Sequence, residues 1–240
     1  MSIKKGLLAG FAALALSMTA QASEINVGGV VWDPDSPADF QSNGGTYESF
    51  AAGVGDFVTG FGVFTNFNAT NEGVYCPGCE LTYTFSLQLV DATPTGPTSF
   101  AFDFDNVVFD IWVDHSPDYN QLAPSLATAA DGVNFLSFEN HGLLSGFANN
   151  LFDPASIIGF GGGFLDVVGG IAMSNFDTND RLDGSDMAFT SSFQKANLNV
   201  PGYPLFGTLD LAGNSIPEPS TIALFGLALM GFASRKKLSK

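Results

Sequence analysis

Residues 23–214 predict an all-β fold, an antiparallel β-sandwich or jelly-roll-like domain, and three observations carry that expectation. Period-two alternation marks the best segments, 24 phenylalanines supply large strand-forming rings, and no series of amphipathic helices interrupts the pattern. Of the 240 residues, about 190 remain once two unusual ends are set aside, enough for one sizeable core.

The elements follow in order. Residues 25–32, 47–50 and 60–65 give short strand signals. Residues 81–89 form the clearest strand. Leu81, Tyr83, Phe85, Leu87 and Leu89 fall on one face, and Thr82, Thr84, Ser86 and Gln88 on the other. Pro94, Gly96 and Pro97 then mark a turn. Phe100, Phe102 and Phe104 alternate with Ala101, Asp103 and Asp105, and beyond Asn106 the phase moves to Phe109, Ile111 and Val113. One bent strand, or two strands about a bulge, fits that change. Residues 120–130 are a candidate short helix with Pro124 in its first turn. Strand signals resume at 133–138, 167–173, 187–193 and 205–211. Gly159-Phe160-Gly161-Gly162-Gly163-Phe164 reads as a wide loop or irregular edge, since glycine weakens a strand. It lacks the lysine and the strand-to-helix setting of a phosphate-binding loop.

Charge excludes partners. The chain has 24 acidic and 8 basic side chains, a net of −16. Between residues 23 and 217 there are 23 acidic side chains against only Arg181 and Lys195, hence −21. Nucleic acids and anionic lipid surfaces both need a cationic footprint, so neither is a partner of this domain.

The two ends read as sorting segments. Residues 1–22 place Lys4 and Lys5 before an apolar run and close on Ala20-Gln21-Ala22, the pattern of a signal peptide cut after Ala22 by signal peptidase. At the other end, within residues 215–240, Pro217-Glu218-Pro219 precedes an uncharged stretch, about 220–234, and then Arg235-Lys236-Lys237. As a helix that stretch spans roughly 22 Å at 1.5 Å per residue, short of the ~30 Å hydrocarbon core. Snorkelling cations extend its reach, and the cluster favours the cytoplasmic side.

Pro217, Glu218, Pro219, the apolar stretch and Arg235, Lys236 and Lys237 together resemble the PEP-CTERM sorting tail. The resemblance implies recognition by an exosortase and cleavage close to the Pro-Glu-Pro segment. It also implies a transmembrane helix that anchors the chain transiently in the inner membrane of a Gram-negative bacterium. The product then reaches the cell surface or an exopolysaccharide or biofilm matrix. Residues 75–85, beginning Tyr75-Cys76-Pro77-Gly78-Cys79, are similar to a segment of uncharacterised members of this group, which implies a related domain and no activity.

Candidate chemistry is sparse. Cys76 and Cys79 are the only cysteines. In an exported protein they read as a local disulfide closing the turn into the strand at 81–89. A redox C-x-x-C needs a helix that this strand replaces, and a metal site lacks further soft ligands. Asp177, Asn179, Asp180, Asp183 and Asp186 form the densest oxygen-ligand segment, a candidate Ca²⁺ site without the spacing of an EF-hand. Asp33, Asp35 and Asp39, and Asp103 with Asp105, are secondary candidates; turn chemistry explains all of them equally well. Asp114-His115-Ser116 has the residue types of a triad, but strand neighbours point to opposite faces. Trp32, Trp112 and Tyr119 are candidate platforms for a polysaccharide. The expectation is an exported, non-catalytic surface or matrix protein. A polysaccharide-binding module, Ca²⁺-stabilised or not, is the alternative, and a secreted hydrolase the remaining one.

Overall fold

Nine residues of β3, Phe40–Glu48, pair antiparallel with β12, Tyr203–Gly213, in continuous register from Phe40↔Gly213 to Glu48↔Leu205. These are strands from opposite ends of the domain, and their pairing completes a ring. In the computed structural model, which describes residues 24–36, 40–153 and 155–216, each wall strand lies beside its neighbours in sequence. From β3 the order runs through β4 (Phe57–Phe67), β6 (Glu80–Pro94) and β7 (Phe100–Asp114). It continues through β8 (Val133–Asn140) with β9 (Leu144–Asn149), then β10 (Ile158–Gly169), β11 (Met187–Val200) and β12. β8 and β9 act as one interrupted strand: both pair with β7 on one side and β10 on the other. The result is an eight-walled antiparallel meander barrel. β5 (Thr70–Asn71) adds a short pairing to the end of β4.

The antiparallel all-β expectation holds, and opposite walls pack as in a sandwich: Phe109 of β7 and Phe189 of β11 meet across the interior at 6.1 Å. The jelly-roll alternative is corrected to a meander, because successive wall strands are neighbours and no Greek-key crossover occurs among the described residues.

Alternation explains most of the wall. On β6, Leu81, Tyr83, Phe85, Leu87 and Leu89 all point inward and are buried. On β7 the inward set changes from Phe100, Phe102 and Phe104 to Phe109, Ile111 and Val113, and Asn106 at φ 48° takes up the extra residue. This is one strand with a bulge, and Asn tolerates that conformation better than most residues.

Glycine serves the wall. The Gly159–Phe164 stretch, expected as a loop, is the first half of β10, paired with β9 and β11 on its two sides. That reading is corrected. The physical reason is that rings fill the space the glycines vacate: a Cβ on Gly159 would stand 2.1 Å from Phe193 Cζ. The same device recurs on β4, where a Cβ on Gly60 would stand 2.1 Å from Phe85 Cζ and one on Gly62 2.0 Å from the Gly45 carbonyl oxygen. Tyr83, lying over Gly62, donates its hydroxyl to Gly45 O at 2.9 Å.

One end of the barrel is plugged. Residues 25–32, expected as one strand, form a hairpin of β1 (Ile25–Val27) and β2 (Val30–Trp32) around Gly28 and Gly29, both at positive φ as a two-residue hairpin turn demands. The one-turn helices α1 (Glu72–Tyr75) and α3 (Met173–Phe176) pack at the same end. Trp32 lies against Phe176 at 4.9 Å and edge-on to Phe135. The candidate helix at 120–130 reduces to α2 (Leu126–Ala129), capped by Ser125, with Pro124 just outside it. Its Ala129 covers an outer-wall cluster of Tyr47, Phe61 and Val200.

Gly60→Ala should destabilise the barrel by about 1–3 kcal/mol through overpacking against Phe85, read as a lower urea midpoint. Phe85→Leu in the same chain should recover part of that loss. Equal losses in the single and double variants would show that the ring is not what the glycine accommodates.

Candidate functional site

The residues singled out in the sequence fall in separate places. Cys76 and Cys79 form a disulfide with a Cα–Cα distance of 5.1 Å, both buried, between α1 and the start of β6. Trp32 is buried in the plug and donates its indole N–H to Ser215 at 3.2 Å. As a sugar platform it is corrected: the ring has no free face, because the plug needs it as core. Trp112 is half-buried on the outer face of β7, and its N–H goes to Thr84 Oγ1 at 3.1 Å. Tyr119 is half-buried edge-on to Phe61, and burial raises its hydroxyl's pKa. Trp32, inside the plug, does not join Trp112 on the outer wall in one surface.

The acidic loop at 177–186 uses its oxygens on itself. Asp186, buried, accepts the backbone N–H groups of Val167, Thr178 and Asn179 at 2.8, 2.7 and 2.6 Å. Asp177 accepts from Asn179, Asp180 from Thr178 and Asn214, and Asp183 from Ser185. Asp33 accepts from the Asp35 N–H in a local turn, while Asp103 and Asp105 accept from Ser145 and Asn140; Asp39 lies outside the described residues. His115 is exposed. His141 Nδ1 lies 2.9 Å from Asp166, which raises the imidazole pKa.

Another carboxylate group was not legible in the sequence. Glu80, Asp114 and Asp118 bring oxygens within 4.8 Å of one another, since β6 and β7 pair Glu80 with Asp114. Glu80 is buried there and accepts the N–H groups of Asp118 and Tyr119 at 3.1 Å, so backbone donors already engage it.

Opposite the plug, the barrel encloses a cavity of about 310 Å³. Its walls include Val58, Leu87, Leu89, Phe102, Phe104 and Leu205, and loops at 49–53 and 151–152 frame it. Phe50 and Phe152 stand exposed at its rim, at 46% and 68%, whereas the exposed Phe160 faces the outer side of the wall between the inward Gly159 and Gly161. Within this apolar surface lies one carboxylate. Glu48 is the last residue of β3, pairs in register with Gly60 and Leu205, lines the cavity, and is only 5% exposed. Among the described residues its Oε1 has no hydrogen-bond partner. Burial pushes its pKa up to about 8, because the low-dielectric interior penalises the charged form. No signal in the sequence marks it. Phe40, Ser42, Gly44, Thr46 and Glu48 share the inner face, but their mixed character hides the alternation.

Residues 215–237 match the PEP-CTERM protein-sorting motif. This agrees with the reading of Pro217-Glu218-Pro219 and Arg235-Lys236-Lys237 as an exosortase substrate's tail. The match covers the tail alone. No curated protein and no solved structure matches the chain. The expected transmembrane helix and transient inner-membrane anchor are corrected: among the described residues no helix is long and apolar enough to cross a membrane. The stretch at 220–234, the sorting-motif residues and the signal peptide at 1–22 lie outside the described residues.

Asp186→Ala should cost about 3 kcal/mol or more, since it strands three N–H donors, and chemical denaturation should show the loss with or without millimolar Ca²⁺. A loss seen only with Ca²⁺ present would make Asp186 a ligand instead. For Glu48 the folded chain holds the proton more tightly than the unfolded one. Stability is therefore fullest below the ordinary value of 4.5 and declines as pH rises to about 8, by about 1.4 kcal/mol per pH unit. Glu48→Gln should flatten that decline and melt above wild type at pH 8. A parallel pH profile in the variant would contradict a buried, uncompensated carboxyl.

Proposed function

We propose that the barrel is the exported, non-catalytic body of a cell-surface or extracellular-matrix protein that an exosortase cuts from its C-terminal tail. The observation that carries this reading is the junction between fold and tail. The fold's last ties are Trp32 to Ser215 and the Ile216 N–H to Asn175 O at 2.7 Å. The matched motif begins at residue 215 and its Pro-Glu-Pro segment follows at once. A cut beyond Ile216 therefore leaves both of those ties in place. Glu24–Ile216 is a compact unit by itself.

Charge supports the same reading. A body at −21 repels its own copies in dilute salt and needs cations to pack beside an acidic polysaccharide. Signal peptidase is the enzyme proposed for the other end, and an exopolysaccharide the proposed neighbour.

Mass spectrometry of the protein recovered from the cell surface and medium tests the proposal. The expected mature C-terminus lies between Ile216 and Pro219, with a melting temperature equal to that of the uncut chain. A surface form that still ends at Lys240 would overturn it.

A further inference from the structure

The cavity opposite the plug has features that the export reading does not use. Eight-walled barrels are wide enough either to be filled by side chains or to hold one small ligand. This barrel does both. Toward the plug, Tyr83, Phe109, Ile111 and Phe138 fill it. Toward the other end, inward positions shrink to Gly161, Ala148 and Ser191, and a space of about 310 Å³ opens, within the range of small-molecule sites. A Cβ on Gly161 would have no atom nearer than 3.3 Å. No ring is among those nearest atoms, whereas rings cover Gly60 and Gly159.

The lining is apolar except for a few small polar groups and Glu48. A buried carboxyl oxygen without a partner is costly unless something else supplies the hydrogen bond. Since Glu48 is 5% exposed and the Phe152 ring is largely exposed, the carboxyl lies at the closed part of the cavity and that ring at its mouth. Among the described residues the cavity lining contains no Lys or Arg, and the domain is strongly acidic, so an anionic head is disfavoured twice.

We propose that the open end of the barrel binds one small amphiphile, an alkyl-chain alcohol or amine, with its hydrogen-bond-donating head on Glu48 and its chain directed to the Phe50 and Phe152 rim. The burial that holds the Glu48 proton also keeps the empty site from carrying a full charge in an apolar wall. An alcohol donates to the unpartnered oxygen directly. An ammonium head pairs with the ionised carboxylate, whose proton goes to solvent. The inference is independent of how the tail is processed.

The test uses the full chain and a neutral apolar dye, N-phenyl-1-naphthylamine, with 1-decanol, decylamine and decanoate as competitors. Saturable dye fluorescence at one site per chain is expected, with decanol and decylamine displacing the dye at concentrations at least tenfold lower than decanoate. Ser191→Phe, which fills the cavity from β11, should abolish dye binding while circular dichroism and melting remain those of a folded barrel. Glu48→Leu should keep the dye but bring the three competitors within threefold of one another. Absence of saturable binding to wild type, decanoate competing as well as decylamine, or unchanged affinity in a folded Ser191→Phe chain would each overturn the proposal. So would a dimer closing over the Phe50 and Phe152 rim and excluding the dye.

Discussion

The barrel depends on one pairing, that of β3 with β12. Without it the meander would be an open sheet with two long edges, each a row of unpaired N–H and C=O groups and a template for aggregation. With it, every wall strand has two neighbours and the interior becomes a single closed space. The pairing brings Phe40–Glu48 beside Tyr203–Gly213, and so it also decides which side chains face one another inside. Glu48 lies beside Leu205 only because the ring closes in that register.

Closure imposes a second constraint, that of volume. An eight-walled ring cannot hold a large side chain at every inward position of a phenylalanine-rich sequence. Phe85 lies over Gly60, Tyr83 over Gly62, and Phe193 over Gly159. Each ring takes the space its glycine leaves, and the cavity opens beside the small inward residues Gly161, Ala148 and Ser191. The plug of Trp32, Phe176 and the Cys76–Cys79 turn seals the end where the described residues of the barrel begin, at Glu24, and finish, at Ile216. The cavity is left at the end where only loops meet.

Several elements were legible because their causes are local. Leu81 to Leu89 alternate in an unbroken period of two, and the same strand exists in the fold. The phase change at Asn106 is a bulge, and Cys76 and Cys79 close a turn as their spacing suggested. The carboxylates at 177–186 are turn donors' acceptors, a role their residue types allowed from the start. Other elements were hidden because their causes are not local. Gln41 to Thr46 and Gly159 to Gly163 look like loops in isolation, since glycine and small polar residues carry no strand signal. They become strands because partners far away in sequence supply both the hydrogen bonds and the rings that cover them.

Thus the sequence alone determined the antiparallel β class, the strongly acidic charge, the disulfide turn and the sorting tail at 215–237. Each depends on neighbours within about ten residues or on composition. The tertiary structure alone decided that the sheet closes as a meander, that Trp32 is core while Trp112 is wall, and that Glu48 faces an apolar cavity. Those outcomes depend on register between strands more than a hundred residues apart, and register is set by how rings and glycines fit once the barrel is closed.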